Sequence, residues 1–193
     1  EKLIITYTSY RDDTPLKDMI LRIYTYIESN PFPLKWLQEQ VEKFNIKDTK
    51  QDFSNTEWGK ILLQNMKEEL EDCMKKLKAE TKRLSVESEL EQYERVILSD
   101  IQQLEMVYGN LESWDKAYSL INNVEFLRWP SSKKITNPEK DNAKAIRDKV
   151  TKDFKAKRDK IFTANSEMAN EDLIEMYEIL SKLEKLIIDF DAE

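Results

Sequence analysis

Histidine is absent from the 193 residues, glycine occurs twice and cysteine once. Without histidine the commonest general base, a frequent zinc ligand and a member of both common nucleophile triads are missing. A Walker-type phosphate loop needs two glycines within one short segment followed by Lys and Ser or Thr, and Gly59 and Gly109 stand far apart. Tight β-hairpins also draw on glycine at positive φ, so its scarcity favours helices joined by polar turns. Cys73 alone can form neither an internal disulfide nor a cysteine-based metal site, a usage compatible with a reducing cytosol, and its spacing places it in a core. No apolar run approaches the roughly 18 residues of a membrane-spanning helix, so neither a membrane span nor a signal peptide is expected.

What remains is a helix-forming composition. The hydrophobic share of 40% supplies a core, while 36% charged residues and a mean hydropathy of -0.70 describe helices with solvated outer faces. The length suits one compact unit, which is the expected domain count for residues 1–193. The chain opens on Glu1 and stops at "DFDAE" directly after a periodic helix, and an excised piece of a larger protein is expected.

Residues 1–13, "EKLIITYTSYRDD", read as an extended segment leading into the first helix. Thr14-Pro15 opens a helix to about Ser29, and "PFPLKWLQEQVEKF" makes a short second one. Ser54-x-x-Glu57 is a capping-box pattern, followed by Trp58, Ile61, Leu62, Met66, Leu70, Cys73, Leu77 and Leu84 at helical spacing. A partner from about Glu87 carries Leu90, Tyr93, Ile97, Ile101, Leu104 and Tyr108 and ends at Gly109, expected as a left-handed cap. Ser113 starts a short helix. Asn137-Pro138 starts another with Ala143, Ile146, Val150, Phe154 and Ile161 inward, and Asn170 is expected to cap the last. The fold class is therefore all-α, an antiparallel bundle of about six helices around a central long hairpin.

Charge is segregated. From Ser131 to Lys160 eleven Lys or Arg face five acids, an excess of six, which leaves -13 on the rest of a chain of net charge -7. Such an arrangement lets an acidic protein offer one cationic face to an anionic partner. At 100° per residue Lys140, Lys144, Arg147, Lys155 and Arg158 fall within about 80° of one another, with no acid among them. The preceding "RWPSSKK" adds hydroxyl and backbone donors of the kind that hold a phosphate backbone, and Trp129 offers a ring for stacking. The plainer reading is the wet side of a long helix, with Trp129 as a packing residue. The acids Glu68, Glu69, Glu71 and Asp72 lie on several helix faces and read as solvated charge, not as a metal cluster.

A series of segments carries a family likeness: "LKDMILRIYTYIESNPFPLKWL", "EWGKILLQNMKEEL", "WDKAYSLI", "FLRWPSSKK", "AIRDKVTKDF" and "LIEMYEILSKLEKLIIDFD". In this order the sequence resembles the AddA family, the UvrD-type, RecB-like helicase–nucleases of bacterial double-strand-break repair. The likeness rests on the series, since none of the segments is a catalytic signature. It implies a helical subdomain of the 1B type, inserted in the first motor domain of a larger, cytoplasmic bacterial protein. It also implies a parent that is an ATP-dependent 3'-to-5' DNA helicase and exonuclease, using ATP, magnesium and an iron–sulfur cluster and working with AddB in recombination. No cofactor and no catalytic residue of that parent falls in this chain.

The likeness implies contact with double-stranded or forked DNA. With the charge pattern, it nominates Arg128, Lys133, Lys134, Lys144, Arg147 and Lys155 for phosphate contacts, with Trp129 for stacking. The alternative is a protein-interaction module docking on AddB or on the neighbouring motor domain.

Overall fold

In the computed structural model residues 14–131 and 135–191 are described. The expected extended segment at 1–13 and the pair Lys133 and Lys134 lie outside them. The described residues form seven helices: α1 (Thr14–Glu28), α2 (Pro33–Glu42), α3 (Glu57–Leu84), α4 (Glu91–Tyr108), α5 (Trp114–Asn122), α6 (Pro138–Ile161) and α7 (Ser166–Asp191). Two 3₁₀ turns, Phe53–Asn55 and Ser88–Leu90, precede α3 and α4. No strand occurs among the described residues, so the fold class is all-α.

The chain divides into two compact units: the described residues up to Thr49 with those from Asn170 onward, and Lys50–Ala169. In the first, Ile27, Leu37 and Val41 bury themselves with Leu183 and Ile187 of α7. Trp36 meets Tyr26 edge-on at 5.5 Å, and Asn170 Nδ2 donates to the Thr49 carbonyl at 3.0 Å. Asn170 thus ties a turn to the helix; it does not start it, because α7 begins four residues earlier at Ser166.

The second unit is built on α3, which packs against both α4 and α6. Its apolar line recurs at heptad spacing, and Leu70, Leu77 and Leu84 are all fully buried. Truncating any one of them to Ala costs about 2–5 kcal/mol, from lost transfer energy and the cavity left behind. Tyr93, Ile97 and Leu104 of α4 and Val150 and Phe154 of α6 complete this core. Cys73 is buried with them, and burial, with Glu69 beside it, pushes its thiol up to about 12, so it packs as an apolar residue.

Several caps follow the sequence and some do not. Ser113 caps α5 by accepting from Lys116 N, and Asn137 caps α6 by accepting from Glu139 N. The start of α3 differs from the capping-box reading: its cap is Thr56, whose hydroxyl accepts from Gly59 N at 2.9 Å. Ser54 instead lies in the 3₁₀ turn, which Asp52 caps. Gly109 ends α4 at φ -71°, right-handed, so the expected left-handed cap is not formed. Ile61 is 44% exposed and does not belong to the core.

Asp52 joins these starts. Its carboxylate accepts from Ser54 N, Trp114 N and Ser113 Oγ, fixing the 3₁₀ turn to the first turn of α5. There Trp114 is clamped between Phe53 and Phe162, each 4.7 Å away by ring centroid, while its Nε1–H donates to the Ala164 carbonyl at 2.9 Å. That bond leaves the indole both buried and satisfied.

Candidate nucleic-acid interface

The nominated residues that are described sit on α6 and on the segment 124–131 that leads towards it, Lys133 and Lys134 lying outside the described residues. Asn137 starts α6, and its Nδ2 also donates to Glu87 Oε2 at 2.7 Å, tying the helix start to the turn between α3 and α4. Pro138 follows at the first helical position, where a missing N–H costs nothing.

Arg147 departs most from expectation. The inward line of α6 runs through Ala143, Arg147, Val150 and Phe154, with Arg147 in the place expected for Ile146. Its guanidinium donates to Asp100 of α4 through Nε at 2.5 Å and Nη2 at 3.2 Å, and Nη2 also reaches the Leu127 carbonyl at 2.6 Å. The two side chains are 6% and 0% exposed. A buried, forked pair of this kind holds α4, α6 and the 124–131 segment together, and its guanidinium is not offered to a phosphate. Burial pushes the Asp100 carboxyl above its ordinary value, against the lowering effect of Arg147. Asp100 went unnoticed in the sequence, although its position next to Ile101 on an inward line was the available signal.

Trp129 is engaged in the same assembly. Its ring lies 5.1 Å from Tyr93 and 5.6 Å below the Arg147 guanidinium, so it packs the segment onto α4 and is not a free stacking surface. Phe126 repeats this two turns further along α6, meeting Phe154 edge-on at 5.5 Å with the Lys155 ammonium 5.9 Å over its ring.

The other cations are presented to solvent in part. Arg128, Lys144 and Lys155 are exposed. Lys144 pairs with Asp148 at 2.7 Å, both about half exposed, an interaction of little net strength that a phosphate can replace. Arg158 pairs with Asp159 at 2.8 Å, and Lys140 donates to the Ile135 carbonyl at 2.6 Å with only 14% of its side chain exposed. Acids therefore do accompany the stripe. Its open members are Lys144 and Lys155, with Lys149, Lys152 and Lys160 exposed on the same helix and Arg128 exposed on the 124–131 segment.

The acids at 68–72 each go to a separate neighbour: Glu68 to Gln64, Glu69 to Cys73, Glu71 to Tyr108 and Asp72 to Lys76. Among the described residues no group of three His, Cys, Asp or Glu could hold a metal ion. The chain's donor set does not fit a nucleotide loop or an iron–sulfur cluster, since both glycines lie in or at the end of helices and the one cysteine is buried and protonated. No helix among the described residues is long and apolar enough to cross a membrane.

No protein-family model matches the chain. Individual relatives do. The chain is 32% identical over 193 residues to the A subunit of the ATP-dependent helicase/nuclease of Ruminiclostridium cellulolyticum, an alignment covering 98% of this chain and 15% of that protein. Its sequence resembles a segment of an AddA-type helicase/nuclease. The corresponding protein of Acetivibrio thermocellus is 31% identical over 96% of the chain, and that of Alkaliphilus oremlandii 33% identical over 97%. The chain spans about 15% of the length of these AddA relatives, the proportion of a subdomain.

Proposed function

We propose that this chain is an accessory helical subdomain of an ATP-dependent DNA helicase/nuclease acting in double-strand-break repair, inserted in its first motor domain, and that it touches duplex or forked DNA. The observation that carries the reading is the clamped 124–131 segment lying along the most basic helix, with Arg128, Lys144 and Lys155 exposed beside it. Arg147 and Trp129 act here by positioning: they hold the segment's backbone against α4 and α6 so that the neighbouring cations keep one arrangement. Lys133 and Lys134 continue the cationic run in the sequence. Chemistry in this reading belongs to the rest of the parent, which supplies ATP hydrolysis, magnesium and the iron–sulfur cluster, and an AddB-type protein is its partner.

The test is fluorescence anisotropy of the chain with a labelled duplex carrying a single-stranded tail, titrated with salt. Each cation that neutralises a phosphate contributes about 0.9 to the slope of log K against log salt on duplex DNA. Joint charge reversal of Arg128, Lys144 and Lys155 is expected to lower that slope by about 2.7 and weaken binding at every sequence. An unchanged slope refutes the assignment.

A second reading has its own observation. Leu21, Tyr26 and Phe32 of the first unit are 62%, 64% and 73% exposed, large apolar side chains available for docking on AddB or a neighbouring motor domain. It predicts association little changed by salt and lost on Phe32→Asp.

A further inference from the structure

A second cationic lane runs along α3, outside the region of charge excess. Lys60, Lys67, Lys75, Lys78 and Lys82 are spaced so that, at 100° per residue, all five fall within about 80° of one another. This stripe lies roughly 120° around the helix from the buried line of Leu70, Leu77 and Leu84. From Lys60 to Lys82 it extends about 33 Å at the α-helical rise. All five are exposed.

The stripe lines open clefts between α3 and α4. One, of about 400 Å³, includes Lys60 and Lys67, and another, of about 870 Å³, includes Lys75, Lys78, Lys82 and Arg83; Tyr108 of α4 borders both. Six cations and three acids line the two clefts. Two of the acids are occupied: Glu71 accepts from the Tyr108 hydroxyl at 2.7 Å, and Glu105 pairs with Lys78 at 2.7 Å. Among the described residues no acid pairs with Lys60, Lys67, Lys75 or Lys82, although the chain as a whole is acidic. Lys67 rests 5.7 Å over the Tyr108 ring, which holds its ammonium at the mouth of the clefts.

We infer that the α3–α4 face is a second nucleic-acid contact, binding a phosphodiester backbone along Lys60, Lys67, Lys75, Lys78 and Lys82. Length selects the ligand. A row of about 33 Å is as long as roughly ten charge spacings of 3.4 Å along a duplex axis, far beyond the reach of a single phosphate group, so an extended single strand can follow it and a duplex can offer it the phosphates that flank a groove. The lane offers ammonium point charges and no forked base-reading array, which suits backbone contact without sequence preference. The inference rests on the reading of the chain as a DNA-touching subdomain, and adds a face which that reading does not use.

The experiment compares three proteins, the full chain, its K75Q/K82Q variant and its K144Q/K155Q variant, by salt-titrated anisotropy on a duplex and on a single-stranded oligonucleotide. Lysine acetylation with and without each oligonucleotide is mapped in parallel, and all three proteins are checked by thermal melting. For K75Q/K82Q the slope is expected to fall by about 1.8 on duplex or about 1.4 on a single strand, and the preferred oligonucleotide identifies the source. Lys60, Lys67, Lys75, Lys78 and Lys82 are expected to be protected together. If only K144Q/K155Q moves the slope, the α3 lane is overturned and the α6 interface stands. If only K75Q/K82Q moves it, the lane stands and the α6 interface fails. Absence of salt-dependent binding overturns both, and equal competition by poly-glutamate of matched charge overturns the assignment to nucleic acid.

Discussion

Replacing Arg147 by alanine tests the clamp on which the interface depends. The substitution removes two bonds from Asp100, whose side chain is 0% exposed, and the donor to the Leu127 carbonyl. Breaking one partner of a buried ion pair costs about 3–5 kcal/mol, because an uncompensated charge stays behind. For a unit of this size that corresponds to a fall in Tm of roughly 10 °C or more. Urea unfolding followed by far-UV circular dichroism measures it, and the double variant Asp100→Leu with Arg147→Met tests whether the charge left behind is the cause. The double variant is expected to recover most of the loss, since two apolar side chains replace two desolvated charges.

The pH dependence carries a sign. The Asp100 carboxyl is raised in the fold by burial, so its contribution is fully present below the unfolded carboxyl value and is lost as pH rises through the folded one. Without Arg147 only the hydrogen bond from the Leu127 backbone opposes burial, and the Arg147→Ala penalty is expected to be largest near neutral pH and to shrink on acidification. A cost below about 1 kcal/mol, or a penalty that grows in acid, refutes the buried clamp.

Two further outcomes test the second unit. A Cβ at Gly59 would stand 1.9 Å from the Phe53 carbonyl oxygen, so Gly59→Ala must push the 3₁₀ turn off α3; a loss of about 1–3 kcal/mol by urea unfolding is expected, despite alanine's better helix propensity. Asp52 behaves oppositely to Asp100: burial raises it, but hydrogen bonds from Ser113, Ser54 and Trp114 hold it down to about 2 from 3.8. Its contribution of about 1–2 kcal/mol, allowing for partial solvent screening, is present above pH 4 and lost as pH falls towards 2. In Asp52→Asn the acid limb of a stability–pH profile should flatten.

The period of apolar residues was enough to read α3, α4, α5 and α6, because a helix long enough to cross a core must repeat its buried residues every three or four positions. Local caps at Ser113 and Asn137 were legible for a similar reason, since each acts within three residues of its own position. Thr56 in place of Ser54 was not, because Ser54 has the Glu three residues on that the capping box asks for and Thr56 has Gly59 there, while Asp52 draws Ser54 into the preceding turn and holds that turn to α5. Gly59, read only as an absence of phosphate loops, is required by the close approach of Phe53.

Sequence alone determined the all-α class, the core line of α3 and the net charge of each segment, all of which follow from local periodicity and composition. Which lysines and arginines face water was decided only by tertiary structure. Arg147 and Lys144 stand three residues apart on one helix, yet one is buried on Asp100 and the other is half exposed beside Asp148. The difference arises from α4 and the 124–131 segment, brought to α6 from elsewhere in the chain, because desolvating a charge is tolerable only where a distant partner closes over it.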